Sequence, residues 1–322
     1  MFKILYAASN NVNSKIQLTR FIDAIKIYPI KLKIAAYKNY SPDISIDWTL
    51  DSLININRPN TVHFDNENFQ IYFNQIKYYN PDLIISDLEY FTSYAANLLN
   101  ITLWQCSSSI INFALSKKEK YNLGLFKNYS FIFNKTSQEV QRKINILDNS
   151  NSKFIYSHFG ETKMPPDIHS DYEWIRPYHQ VGKHSINCQH NIVAATIFSN
   201  KKIINYLKPL NDVVIFTEHD NEYYPNIKIK NIYDTSEYFC NLKNSNNFVC
   251  EGNISFLADA FYNNKRSIII TNLQDPECII NSVVSSRLGL SSDIDFSTYK
   301  ELDEVNTNTK VKFLHEKVLE YF

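Results

Sequence analysis

Short apolar runs alternate with stretches of helical spacing along most of the chain. Residues 3–6 read as a buried strand, and residues 14–28 follow with Ile16, Phe21, Ile22, Ala24 and Ile25 at roughly helical intervals. Residues 31–36 form a second strand, and residues 68–79 a helix that Pro81 brings to a stop. Residues 82–85, 91–99 and 102–106 continue as strand, helix and strand. The stretch 160–185 breaks this rhythm with Pro165, Pro166 and Pro177, several acids and histidines, and it reads as an interdomain connection. A second series then begins, with strands over 191–197, 212–216, 227–229, 247–250 and 267–271. Helices over 200–207, 236–242, 254–262 and 276–288 are interleaved with them, and residues 309–322 close the chain as a helix. Alternating strands and helices imply parallel sheets, hence an α/β protein of two Rossmann-like domains facing across a cleft. Ligands in such sheets bind beyond the carboxyl ends of the strands.

At 322 residues the chain exceeds what one core usually holds, which agrees with two domains. The expected division is a first domain over 1–165, a connection over 166–185 and a second domain over 186–308, with helix 309–322 able to pack back on the first. Zero formal net charge gives no basic footprint for a nucleic-acid partner. Five widely spaced cysteines without a CxxC pair argue against a disulfide framework or a zinc site. His158, His169, His179, His184 and His190 fit no metal-ligand spacing, so no metal is expected. The N-terminus enters a strand directly, and no apolar run reaches the roughly 18 residues of a membrane span, so the expectation is a cytoplasmic chain. The oligomeric state is left open.

The most informative stretch is 247–290. A strand ends at Cys250, a turn follows at Gly252 and Asn253, and a helix opens near Ser255, whose free N–H groups suit a phosphate. Asp259, one turn further on, can accept hydrogen bonds from ribose hydroxyls. The stretch resembles the C-terminal domain of GT-B glycosyltransferases. Gly252-Asn253 stands at the family's glycine pair, Ala258-Asp259-Ala260 at Ser-Glu-Ala, Lys265-Arg266 at Lys-Pro, and Glu277-Cys278 at Glu-Gln, with Asn281 in ungapped register to Gly289. The resemblance implies that Gly252, Asn253, Ile254 and Ser255 form the diphosphate turn, that Asp259 binds ribose, and that Glu277 and Asn281 bind the donor sugar. It also places the loop around Ile232 at the base. Glu251 stands where many members carry His or Asn, and an acid there repels a diphosphate. Either it points away, or the donor site is altered or lost.

In the first half, the segment 6–20 resembles the family's loop and Gly-His-x-x-Arg helix start, with Arg20 at the Arg and Gln17 in place of His. Asn10, Asn11 and Asn13 are then the residues to supply left-handed backbone, unless the segment is an ordinary loop capped by Ser14. Pro81-Asp-Leu-Ile-Ile-Ser-Asp resembles another family segment, which makes Asp87 the candidate general base. The plain alternative is that Asp87 caps the next helix. Ser14, Gln17, Arg20 and Glu89 fall on the acceptor side, and His219 follows a strand of the second domain. The resemblance implies inverting, metal-independent transfer from a nucleotide-diphosphate sugar, UDP-sugar favoured, to an unidentified acceptor hydroxyl, with no cofactor. The lost His and glycines motivate two alternatives: a decayed scaffold that still binds a nucleotide or sugar, and a nucleotide-sugar 2-epimerase.

Overall fold

The computed structural model describes residues 1–9, 12–37, 40, 44–50, 67–107, 110, 152–157, 172–175, 178, 190–197, 200–218, 224–265, 267–273, 275–287, 291–293 and 312–321. They form two parallel sheets. The first comprises β1 (Phe2–Ala7), β2 (Ile30–Tyr37), β3 (Trp48–Leu50), β4 (Leu83–Ser86), β5 (Leu103–Cys106), β6 (Ser152–Ser157) and β7 (Tyr172–Ile175) in the order β3-β2-β1-β4-β5-β6-β7. The second comprises β8 (Ile192–Ala195), β9 (Val213–Thr217), β10 (Ile227–Asn231), β11 (Asn247–Cys250), β12 (Ser267–Ile269) and β13 (Ser291–Asp293) in the order β10-β9-β8-β11-β12-β13. The strand order reverses between β1 and β4 in one and between β8 and β11 in the other. Those are the crevices where doubly wound sheets hold ligands.

Successive strand residues point to opposite faces, and both faces are covered. In β1, Ile4 and Tyr6 meet Leu18 and Phe21 of α1 (Val12–Ile25), whereas Leu5 and Ala7 meet Ile76 of α2 (Glu67–Tyr79) and Ala95 of α3 (Tyr90–Leu99). In the second sheet, Ile203 and Leu207 of α4 (Lys201–Leu207) cover one face. Leu242 of α5 (Thr235–Asn244) and Phe256 of α6 (Ile254–Tyr262) cover the other. Helix α7 (Pro276–Arg287) precedes β13, and α8 (Leu314–Tyr321) returns to the first sheet, where Leu314 and Val318 enter its core.

Most elements coincide with those the periodicity predicts. The strands not anticipated are β3, β6, β7 and β13. β3 and β13 are three residues each, and β13 is Ser-Ser-Asp, with no apolar signal. β7 lies within 166–185, read as connection, yet it pairs with β6 from Phe154↔Tyr172 to Ser157↔Ile175. The first sheet therefore extends past residue 165. Helix termination relies on asparagine more than glycine. Asn80, Asn100 and Asn264 take positive φ of 48°, 54° and 56° after α2, α3 and α6. The Asn side chain tolerates this backbone better than most others. Asn13, in contrast, lies inside α1, and Ser14 is not its cap, because the helix already starts at Val12. Asn10 and Asn11 lie outside the described residues, as do His158, His169, His179, His184, His219, Arg266 and Gly289.

Candidate functional site

The first half of the site forms at the carboxyl ends of β1 and β4. Ala7 pairs with Ser86 and Ser86 with Gln105, so the next step places Asp87 between Ala8 and Cys106. Its N–H donates to the Ala7 carbonyl at 2.9 Å. The Ser9 hydroxyl donates to Asp87 Oδ2. Asp87 is 4% exposed, and its charge helps raise the Tyr6, Tyr40 and Cys106 pKa values, although burial is the larger cause for each. Asp87 does not cap α3. Glu89 does, accepting from Phe91 N at 3.0 Å and Thr92 N at 2.8 Å. Burial raises the Glu89 pKa, and these hydrogen bonds oppose that rise. Between the two acids Leu88 sits at φ 51°, a left-handed conformation that costs a branched residue about 1–2 kcal/mol. The adjoining cap holds it there.

The second half forms at the carboxyl ends of β8 and β11. Gly252 has φ 89°, and a Cβ on it would stand 2.3 Å from Ser282 Oγ and 2.7 Å from the Cys278 carbonyl oxygen. Glycine is thus required twice, by its backbone and by the close approach of α7. Asn253 caps α6, its side chain accepting from Ser255 N at 2.9 Å. Glu251 turns away from the turn. Its Oε1 accepts from Ile197 N at 2.7 Å and its Oε2 from Thr196 Oγ1 at 3.0 Å, tying the loops after β8 and β11 together. Burial, with Asp275 nearby, pushes Glu251 up to about 7 against those hydrogen bonds. Asp275 opens α7 by accepting from Glu277 N at 2.9 Å. On the buried face of α7, Glu277 and Asn281 lie one turn apart, and among the described residues neither amide atom of Asn281 meets a hydrogen-bond partner. Orphaned buried amides are uncommon, and such a group marks space for a polar ligand or water.

Helix α1 joins the halves. Ile16 enters the core of the second domain. Lys15 Nζ meets Glu218 Oε1 at 2.5 Å, and Tyr233 Oη donates to the same oxygen at 3.0 Å. Arg20 donates to Asp259 Oδ2 at 2.6 Å and to the Tyr178 carbonyl at 2.6 Å, with its guanidinium 5.5 Å from the Phe239 ring centre. Asp259 is fully buried, and that burial lifts it to about 6 even beside Arg20. On its outer side Arg20 borders a groove of about 280 Å³ with Tyr178, Phe313 and His315.

No family model matches the chain, and no curated protein matches it. Solved structures do. A Streptomyces sp. SF2575 glycosyltransferase, SsfS6, complexed with thymidine diphosphate, is 12% identical over 91% of this chain and 88% of its own, with a TM-score of 0.56. CalG4, the calicheamicin glycosyltransferase, is 11% identical over 91% and 85%, also at 0.56. A putative UDP-N-acetylglucosamine 2-epimerase from Listeria monocytogenes is 11% identical over 90% and 87%, at 0.50. The fold is GT-B. At these identities the likeness is one of architecture.

In GT-B terms, the structure brings Gly252, Asn253, Ile254 and Ser255 together in one turn, with Glu277 and Asn281 on the helix beside it. Ser255 alone of the four turn residues is more than slightly exposed. Ile232 puts its side chain into the second core and donates its N–H to the Thr217 carbonyl at 3.0 Å. Ser14 is buried and accepts from Tyr40 Oη at 3.3 Å, and Gln17 is half-buried on α1. Arg20 and Asp259, assigned to opposite substrates by the resemblance, are here each other's partners. Sequence reasoning missed Ser9, Thr196, Glu218 and Asp275. Ser9, Thr196 and Glu218 lie one or two residues past a strand end, and Asp275 directly precedes a helix start, a signal that element boundaries accurate to one residue would supply.

Proposed function

We propose that this chain transfers a sugar from a nucleotide-diphosphate donor to an acceptor hydroxyl, with inversion and without an obligatory metal. The single observation that carries this reading is the Gly252 turn with the orphaned Asn281 amide on α7 beside it. A Cβ-free turn leading into a helix N-terminus suits a diphosphate, whose leaving charge the N–H groups stabilise. The Asn281 amide, with Glu277 one turn before it, offers both donor and acceptor capacity to sugar hydroxyls. Glu251 does not oppose this, since its carboxyl is spent on Thr196 and Ile197. Asp87 is the proposed base, taking the acceptor proton as the hydroxyl attacks the anomeric carbon. UDP-sugars are the donors that the resemblance favours. The thymidine diphosphate bound to SsfS6 puts dTDP-sugars beside them in any test. Acceptor identity is left to experiment.

Purified protein incubated with UDP-, dTDP- and GDP-sugars should show a thermal shift with at least one donor and slow release of the nucleoside diphosphate. Asn281→Ala should remove the sugar-dependent part of that shift and keep the part produced by the nucleoside diphosphate alone. A panel giving neither shift nor release would falsify the reading. One observation favours the second reading, a binding scaffold without turnover. Asp259, the expected ribose ligand, is buried against Arg20. Donor binding with no release over a broad set of acceptor alcohols would select it.

A further inference from the structure

The proposed base is deeply set. Asp87 is 4% exposed, lies between Ala8 and Cys106, and shares its surroundings with the buried rings of Tyr6 and Tyr40. A sugar or alcohol oxygen carrying its own substituents does not fit against such a carboxylate directly. Ser9 is only partly buried, and its hydroxyl donates to Asp87 Oδ2. Ser9 follows β1 and Asp87 follows β4, so both stand at the reversal of strand order where a ligand is expected. Of the described histidines, His190 before β8 pairs with Asp212, and His315 in α8 stacks on Tyr178 and Phe313. Glu89 is held in the α3 cap.

We propose that Ser9 is the residue that meets the acceptor hydroxyl and relays its proton inward to Asp87. The inference rests on the transferase reading above. The acceptor O–H donates to Ser9 Oγ while Ser9 O–H donates to Asp87 Oδ2. As the acceptor oxygen bonds to the anomeric carbon, the carbon–oxygen bond to the diphosphate breaks, and its electron pair leaves with the diphosphate. The acceptor proton passes to Ser9 Oγ, and the original Ser9 proton passes to Asp87. Ser9 ends neutral and Asp87 ends protonated, so two protons move in one step. A serine hydroxyl alone is too weak a base for this, and the carboxylate alone is out of reach. Leu88 stands left-handed between Asp87 and the Glu89 cap.

The experiment uses the full chain with UDP-glucose and dTDP-glucose and a panel of primary and secondary alcohols as acceptors, reading nucleoside diphosphate release above the rate in water alone. Ser9→Ala should lower kcat at least about 100-fold with donor KM nearly unchanged, the range expected for loss of a proton-transfer group. Ser9→Thr should restore most of it, because the hydroxyl returns. In mixtures of H2O and D2O the wild-type rate should bow with deuterium fraction, as for two moving protons. A purely structural role for Ser9 would not produce that curvature. Near wild-type turnover in Ser9→Ala together with a dead Asp87→Asn would overturn the relay and leave Asp87 as a direct base. A linear isotope plot in the wild type would also overturn it. An active Asp87→Asn removes both the relay and Asp87 as base. Absence of release by the wild type with either donor removes the transferase reading itself.

Discussion

Glu251 shows how a single side chain reverses its meaning between sequence and structure. In the sequence it is an acid beside a phosphate turn. In the fold it is a crosslink between two strand-end loops, with Thr196 and Ile197 N as partners. Its titration gives a prediction opposite in sign to that of a salt-bridged carboxylate. Burial raises it from 4.5 unfolded to about 7 folded, so the folded state binds more protons between those values. Its contribution is therefore most favourable near the low end of that window and is lost as pH rises through 7. Asp259, lifted from 3.8 to about 6, acts in the same direction. Glu251→Gln should flatten the fall of the melting temperature between pH 5 and 8, and at pH 8 should stabilise by about 1–3 kcal/mol. Unchanged pH profiles in the two proteins would show that Glu251 is ionised in place. Gly252 makes the complementary case. Gly252→Ala should cost about 2–4 kcal/mol in denaturant unfolding, since both the 89° φ and the Cys278 carbonyl oppose a Cβ. It should also weaken nucleoside diphosphate binding, read by calorimetry.

Helix α3 is fixed by its ends. Glu89 supplies the N-cap, and Asn100 at φ 54° closes the helix, its N–H donating to the Ala96 and Asn97 carbonyls. Glu89→Ala should destabilise by about 1–2 kcal/mol from loss of the cap alone. It should in addition release Leu88 from its left-handed backbone, and turnover should fall by more than the stability change explains because Asp87 then shifts. Comparing the variant's kcat at a temperature well below its melting point separates the two effects. Apolar periodicity made these elements legible. α6 is found at the predicted residues 254–262, and β11 at 247–250. β7 and β13 were not legible, because short edge strands draw their order from a neighbour's hydrogen bonds and carry little apolar pattern of their own.

The two domains are clamped by α1. Arg20–Asp259 is a buried ion pair across the domain junction, and Lys15–Glu218 is a second pair beside it. Removing one partner of a buried pair leaves an unpaired charge and costs about 3–5 kcal/mol, whereas replacing both by apolar groups is often nearly neutral. Arg20→Met should therefore loosen the junction, seen as faster proteolysis between the domains and a larger radius of gyration in solution scattering. The double variant Arg20→Met/Asp259→Leu should recover most of the compactness. If Arg20→Met leaves both measurements unchanged, the hydrophobic contacts around Ile16 hold the domains by themselves.

Alternating apolar periods were enough to dictate an α/β chain with two parallel sheets, because strand and helix spacing are local properties of the sequence. The turn at Gly252 and the acids at 87, 89 and 277 could likewise be picked out, because each stands at a strand end or helix start, and Asp259 because it lies one turn into the helix after that turn. Their partners could not. That Glu89 and not Asp87 caps α3, that Ser9 meets Asp87, that Glu251 turns to Thr196 and that Arg20 reaches Asp259 are decided by strand register and domain docking. These pairings join residues up to 239 positions apart, and no local spacing encodes which of several acids at strand ends will face which neighbour.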